Sequence, residues 1–159
     1  MLWQSYPPPM NEIQFSRARA ELADLHDHAL AHLPTRIVRR RSDPALLVSE
    51  EDFKSVLRRA EFHPEVLFEE GATSIWLPEF AIWGRGDSFA TAKEDLLEEV
   101  DQLLSVFASD ERVRNASNMV ERLPWIYRLM GADEGDWEAI LFAQPSEAEG
   151  RAPALAVPA

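Results

Sequence analysis

The sequence predicts an α+β protein in two parts: a β-α-β-β-α unit near the N-terminus, then a β-β-β-α unit and C-terminal helices. The first observation behind this prediction is that apolar residues change repeatedly between helical and alternating spacing along the chain. The second is the distribution of charge. Residues 11–60 hold nine Arg or Lys and eight Asp or Glu, whereas the remaining residues hold seven basic and twenty acidic side chains. We therefore expect the two parts to have different functions.

The first unit is predicted over residues 10–61. A short strand at 13–15 precedes Ser16, a residue type that favours the N-cap of a helix. Apolar residues at helical spacing predict one helix that runs to about Leu33 and ends before Pro34: Ala18, Leu22, Leu25 and Ala29.

A hairpin and a second helix complete this unit. Two apolar runs, 35–40 and 44–49, are separated by a short polar link, as in a β-hairpin. Ser49 with Asp52 three residues later resembles a capping box, which predicts that a helix begins there.

The second unit is predicted over residues 65–108. Runs at 65–69 and 72–77 flank Gly71 and predict another hairpin, and a third strand is expected at 80–83.

A loop and a long helix follow these strands. Gly84 and Gly86 are interpreted as loop residues, and the helix is expected from near Ser88 to about Ala108. Its apolar stripe is formed by Leu96, Val100, Leu103 and Phe107.

The rest of the chain is less regular. Residues 109–142 are predicted to be helical, with a break or kink at Pro124 and a short last helix at Trp137. Residues 1–9, with three consecutive prolines, and 143–159, without large apolar groups, are expected to be a disordered lead-in and tail. Met10 is an alternative functional start to Met1.

The composition limits the class of protein. A net charge of -12 excludes a protein that coats nucleic acid, since a uniformly acidic surface repels phosphate. Without cysteine the chain can form neither a disulfide nor a thiolate metal site. Because there is no apolar run of about 18 residues and no signal-peptide pattern in residues 1–10, a cytoplasmic protein is expected. No cofactor is predicted.

The first unit carries a recognisable order of motifs. NEIQFSRARAEL and TRIVRRRSDPALLVSEEDFKSVL resemble the Phd/YefM (prevent-host-death) antitoxin family in the order of strand, helix start, basic strand end, turn, Val-Ser and acidic-aromatic helix start. One departure affects the turn: the family's Arg-Gly-Lys/Arg-Pro is here Arg41-Ser42-Asp43-Pro44, so a glycine is missing and an acid replaces a base.

The second unit has a resemblance of its own. FEEGATSIWLPEFAIWGRGDSFATAKEDLLEEVDQLL is similar to a HicB-type antitoxin domain, a reduced ribonuclease-H-like β-β-β-α fold. The family's Gly-Cys after the Pro-Glu element is absent, and Ala81 and Ile82 stand in its place.

The resemblances imply an antitoxin of a type II toxin–antitoxin system and not an enzyme. The first unit would form a homodimer on palindromic operator DNA and repress its own operon. The later residues would neutralise a cognate toxin protein, in a dimer or a higher oligomer. A stand-alone DNA-binding regulator without a toxin partner is the alternative.

Candidate DNA contacts lie near the N-terminus. Arg17 and Arg19 follow Ser16 in the first turn of a helix, where exposed N–H groups favour phosphate. Arg39, Arg40 and Arg41 end a strand, with Arg36 nearby. The alternative is a solvated charge run partnered with Glu12 and Asp43.

Candidate toxin contacts lie in the acidic part of the chain. Glu94 and Glu98 could face a basic toxin, or could form the solvated side of a packed helix. Trp125, Tyr127 and Trp137 could anchor an interface, or could pack in a small core.

Two other chemistries are disfavoured by the sequence. Asp24, His28 and His32 fall at helical spacing, but a fourth zinc ligand is missing. Several carboxylates could recruit metals for a nuclease, although most are expected at strand ends or in loops, where acids are usually solvated; they are Glu69, Glu70, Glu79, Asp87 and Glu94. No metal site and no catalytic residue are predicted.

Overall fold

The computed structural model describes residues 10–143. The chain divides into two compact units, Met1–Val56 and Leu57–Ala159, which are described separately below. The predicted lead-in over 1–9 and nearly all of the predicted tail over 143–159 lie outside the described residues. None of the helices in the described part is long and apolar enough to cross a membrane.

The first unit contains a three-stranded sheet with a helical crossover. Its strands are β1 (Asn11–Gln14), β2 (Thr35–Val38) and β3 (Ala45–Leu47), and its helices are α1 (Phe15–Ala20), α2 (Leu22–Leu30) and α3 (Glu50–Leu57), which ends at the unit boundary. The sheet order is β1-β2-β3. β1 pairs with β2 in parallel, and β2 with β3 antiparallel. The observed order is β-α-α-β-β-α, and β2 and β3 form the predicted hairpin.

The predicted single helix was wrong in detail. Glu21 interrupts it with φ −109° and ψ 21°, and the resulting change of direction takes Leu22 out of the buried face, so that its side chain is 58% exposed. Helix α1 begins at Phe15 with Gln14 as its N-cap, so Ser16 lies inside the first turn and does not cap it. The second segment ends at Leu30, several residues before Pro34.

The core of the first unit is small. Ile13, Ala18 and Leu25 are its buried residues, with Ile37 and Leu47 packed against them. Nine large apolar side chains of this unit are at least one-third exposed: Met10, Phe15, Leu22, Leu30, Leu33, Leu46, Val48, Phe53 and Val56. Exposed apolar surface on this scale is typical of a surface that takes part in an interaction.

The second unit begins with an antiparallel meander on a long helix. Its strands are β4 (Glu65–Glu69), β5 (Ala72–Leu77) and β6 (Ile82–Gly86), in the order β4-β5-β6, and helix α4 spans Phe89–Ser109. The hairpin around Gly71, which has a φ of 76°, and the helix start at Ser88 are as predicted. Ser88 and Thr91 form a full capping box.

The third strand lies later in the chain than predicted. Phe80 and Ala81 form the turn between β5 and β6, where Ala81 adopts φ 55°. Gly84 and Gly86, interpreted above as loop residues, are instead in the strand. A Cβ built on Gly84 would lie 2.5 Å from Leu96 Cβ. These glycines therefore permit the close approach of α4 to the sheet.

Short helices complete the second unit. They are α5 (Glu111–Arg114), α6 (Ser117–Val120), α7 (Leu123–Met130), a 3₁₀ turn (Glu134–Asp136) and α8 (Trp137–Leu141). Pro124 lies in the first turn of α7, where proline is tolerated, so it begins a helix and does not kink one. The buried residues of α4, the sheet and these helices form one core. The predicted α+β class, with two small sheets and several helices, is confirmed.

Candidate functional site

The first unit brings basic residues from two distant segments to one edge of its sheet. Gln14 at the end of β1 pairs in parallel with Val38 at the end of β2, so the residues that follow both strands emerge at the same edge. The guanidinium of Arg39 lies 5.3 Å from the centre of the Phe15 ring, which begins α1. We call the arginines of these two segments the basic cluster: Arg17, Arg19, Arg39, Arg40 and Arg41.

Two of the predicted DNA-contact arginines have carboxylate partners. Arg17 Nε donates to Glu21 Oε1 at 2.7 Å, and this hydrogen bond and charge raise the pKa of Arg17 further above its usual range. Arg36 lies outside the cluster, in β2, with its Nε 3.7 Å from Glu12 Oε2. The alternative to DNA contact, in which a basic side chain is partnered with Glu12, therefore applies to Arg36.

The β2–β3 turn supplies the least neutralised part of the cluster. Arg39, Arg40 and Arg41 are all exposed, and within residues 10–143 no carboxylate forms an ion pair with any of them. Arg41 adopts a left-handed φ of 60°. It is the first residue of the turn at residues 41–44, which corresponds to the glycine-containing turn of the family that the first unit resembles. Exposed guanidinium groups in a turn can bind the phosphates of a duplex without a large desolvation cost.

The predicted toxin-contact aromatics fall into three different environments. Trp137 is only 8% exposed and packs in the core of the second unit, where its Nε1 donates to the Leu129 carbonyl at 3.0 Å. The core alternative therefore describes Trp137. Trp125 is half-buried and donates through Nε1 to the Glu61 carbonyl at 2.7 Å. Tyr127 is 39% exposed, so it presents the most accessible surface of the three.

Helix α4 presents its acidic side to solvent. Glu94 and Glu98 are both exposed, one turn apart. Glu98 also lines a shallow cleft of about 220 Å³, together with Leu97, Asp101, Glu134 and Trp137. The cleft carries three carboxylates beside an indole edge, and so favours a positively charged group over an anion.

Hydrogen bonds to Ala60 and His63, at the start of the second unit, were not anticipated from the sequence. Arg128 donates to the Ala60 carbonyl at 2.6 Å, and burial lowers the pKa of this guanidinium. Glu79 Oε1 accepts from the His63 backbone N–H at 2.9 Å and from its ring Nδ1 at 2.8 Å. The side chain of Glu79 is 7% exposed, and its Oε2 has no hydrogen-bond partner. A lone acid before a predicted strand gives no sequence signal of such burial.

The side chains on the face of the second sheet away from α4 were also not predicted from the sequence. Trp76 and Trp83 are opposite each other in β5 and β6, with ring centres 4.7 Å apart, and Arg85 lies over Trp83 at 5.7 Å. Alternation could have placed them, because Thr73, Ile75 and Leu77 are buried while the residues between them are not.

Some of the side chains considered for metal binding have other partners. His32, beyond the end of α2, lies with its Nδ1 2.6 Å from Asp52 Oδ1, and this contact, with a second hydrogen bond from Ser49, lowers the pKa of Asp52. Asp87 accepts from the Thr91 hydroxyl at 2.9 Å. Across the described residues, no three His, Cys, Asp or Glu side chains are grouped so as to hold one ion.

Comparisons with known proteins agree with an antitoxin. The crystal structure of the antitoxin part of a proposed toxin/antitoxin system from Syntrophomonas wolfei subsp. wolfei superposes with a TM-score of 0.71, at 21% identity, covering 82% of this chain and 96% of that chain. At this identity the likeness shows the fold alone. No curated protein matches the sequence significantly. A sequence model of the PHD-like family, described as the antitoxin of RelE/RelB toxin–antitoxin systems, matches residues 10–136. The chain therefore belongs to the PHD-like family of antitoxins.

Proposed function

We propose that the chain is a type II antitoxin that represses its own operon through the first unit and neutralises a cognate protein toxin through the second. The observation that carries this proposal is a cluster of exposed arginines in the first unit, set against the acidic charge of the second. Exposed, unneutralised guanidinium groups lie at one sheet edge of the first unit, whereas the chain after residue 60 has a large excess of carboxylates. The former surface suits a duplex and the latter suits a basic protein.

Operator binding requires two copies in this proposal. One basic cluster contains few cations, and a palindromic operator is read by a two-fold dimer. The exposed apolar residues of the first unit, for example Leu22, Leu30 and Leu46, provide surface that a second copy can cover. Dimerisation would then double the number of phosphate contacts and so the salt dependence of binding.

The finer assignments of the two units are part of the same proposal. The first unit would act as a Phd/YefM-like dimerisation and DNA-binding domain, with the cluster, Ser16 and Arg36 near the duplex. The β-β-β-α part of the second unit would act as a HicB-like domain. Glu94, Glu98, Trp125 and Tyr127 remain the proposed toxin contacts.

Trp137, which is buried, has a different proposed role. Most of Trp137 is in the core, so it would contribute only the part of its indole that lines the cleft with Glu98. Higher oligomers would form when toxin and antitoxin dimers combine.

The DNA-binding half is tested with the full-length protein and the promoter DNA of its own gene. Affinity is measured by fluorescence anisotropy at several salt concentrations, for wild type and Arg39→Ala/Arg40→Ala. Because each lost phosphate contact lowers the salt slope by about one, a dimer that loses four guanidinium groups should show a clearly flatter slope and at least tenfold weaker binding.

A matched control removes two exposed charges elsewhere. Arg85→Ala/Arg112→Ala takes the same number of cations from the second unit and should leave the slope unchanged. Equal slopes for wild type and Arg39→Ala/Arg40→Ala would refute the assignment of the basic cluster.

The toxin-binding half is tested by co-expression with the protein encoded next to this chain. Rescue of growth, together with a purified complex of defined mass, supports the antitoxin role. Operator binding without any effect on the neighbouring protein would favour the stand-alone regulator instead.

A further inference from the structure

Strand β4 is an edge strand with an unused side. Within the described residues the sheet of the second unit consists of β4-β5-β6, so one side of β4 pairs with no strand. In an antiparallel ladder, alternate residues direct their N–H and C=O groups away from the partner. The outer side of β4 therefore carries a row of backbone donors and acceptors that another extended segment can use.

The usual protection of an edge is weak here. β4 pairs with β5 in unbroken register from Glu65 to Glu69, so no bulge twists it away, and it contains neither Pro nor Lys. Leu67 is 47% exposed and Phe68 73% exposed. An edge strand with large exposed apolar side chains is a template for strand addition unless its natural partner covers it.

The two faces of β4 have different chemistry. Side chains alternate across a strand, so Glu65, Leu67 and Glu69 point to the face away from α4. Val66 packs against the core on the α4 side, and Phe68 shares that side. An added strand would therefore meet an acid–apolar–acid row on one face and two apolar side chains on the other.

Charge argues against a second copy that pairs in the register centred on Leu67. Two β4 strands that pair antiparallel about Leu67 would bring Glu65 of each copy opposite Glu69 of the other. Like charges directly opposite in a sheet are destabilising. A strand with Lys or Arg at those positions has the opposite effect, since both of its cross-strand pairs are attractive.

We infer that the β4 edge binds an extended segment of a partner protein by strand addition. The segment carries two basic residues four positions apart, an apolar residue midway between them, and apolar residues on its other face. This inference rests on the proposed function, because it assigns the segment to the toxin. It names a surface separate from the acidic side of α4 and the aromatics of α7.

The test uses a labelled peptide and the full-length protein. The probe is a fluorescein-labelled nine-residue peptide with the core Lys-Val-Leu-Val-Lys between polar flanks, and binding is followed by anisotropy. Three changes are compared: Glu in place of both Lys residues, N-methylation of all core amides, and the protein variant Glu65→Lys/Glu69→Lys. We expect roughly tenfold weaker binding for each charge change, from two cross-strand pairs, and no measurable binding for the N-methylated peptide.

A control variant separates local from general electrostatics. Glu111→Lys/Glu121→Lys makes the same change in net charge at two exposed positions outside the sheet, and should bind the probe within about twofold of wild type at physiological salt. Binding of the N-methylated peptide, an equal loss in the control, or no binding of the Lys peptide would overturn the inference.

The neutralisation assay distinguishes a failure of the β4-edge inference from a failure of the proposed antitoxin function. If wild type protects cells from the neighbouring toxin and Glu65→Lys/Glu69→Lys protects equally well, the edge is not used and the antitoxin proposal stands. If wild type does not protect, the antitoxin proposal fails, while the peptide measurement still reports on the edge.

Discussion

Gly84 lies where β6 and α4 approach most closely, so a single methyl group there should disturb the second unit. A Cβ at this position would lie 2.5 Å from Leu96 Cβ and 2.7 Å from Leu96 N, and would also overlap the Ala92 carbonyl oxygen. Ala92 and Leu96 are fully buried. The obstacles are backbone atoms and a Cβ, which cannot rotate away, so Gly84→Ala must push the helix from the strand by about 1 Å.

The magnitude follows from the cost of overpacking. Inserting a methylene into a packed core costs typically 1–3 kcal/mol, and obstacles that cannot move locally favour the upper end, about 3 kcal/mol. In a domain of 60–100 residues, 1 kcal/mol corresponds to about 4–8 °C in melting temperature, so the variant should melt roughly 12–24 °C lower.

The measurement is urea and thermal unfolding of the full-length protein, followed by tryptophan fluorescence, because the Trp76–Trp83 pair reports on the sheet of this unit. Gly135→Ala is the matched control, since nothing lies within 4 Å of the added methyl group, and its stability should change by less than about 1 kcal/mol. A Gly84→Ala protein as stable as wild type would show that glycine is not required for this packing.

Three further substitutions test contacts described above. Glu79→Ala should lower the free energy of unfolding by about 1–3 kcal/mol, since it leaves the His63 N–H without its acceptor; an unchanged urea midpoint would contradict this. Trp137→Phe should cost about 1–2 kcal/mol through the lost indole hydrogen bond and volume, yet leave operator affinity unchanged. Asp52→Asn should lower the melting temperature at neutral pH. Because the contact with His32 lowers the pKa of Asp52, its contribution is present above the ordinary value of 3.8 and lost below it, so wild type and variant should converge in acid.

The order of elements could be predicted because local signals are strong in this chain. The hairpin at Gly71 needs a left-handed residue between two apolar runs, and the start of α4 is fixed by the local bonds of Ser88 and Thr91. The prediction of an antitoxin is confirmed by the family match.

The errors come from tertiary contacts that no local pattern shows. Gly84 was interpreted as a loop residue because glycine usually breaks strands, whereas here it admits a neighbouring helix. The helix break at Glu21 has no proline or glycine to mark it. Trp137 was considered either as a contact residue or as a core residue, because an exposed and a core tryptophan look identical in sequence.

The candidate DNA site could be predicted by residue type but not by geometry. Spacing alone does not show that β1 and β2 are parallel, and it is this pairing that brings the segments after Gln14 and Val38 to one edge. The exposed edge at β4 could not be predicted, because the exposure of Leu67 and Phe68 depends on the order of the strands in the sheet.

Because β1 and β2 pair in parallel, the arginines of the basic cluster come together only when the first unit is folded. These arginines come from two segments that are far apart in the sequence, so unfolding of the first unit disperses them. A polyanion that binds the assembled cluster must therefore favour the folded form. Heparin or duplex DNA would then act as a thermal stabiliser, in proportion to its affinity and less at high ionic strength. Under the proposed function, the first unit is most resistant to heat when DNA occupies the basic cluster.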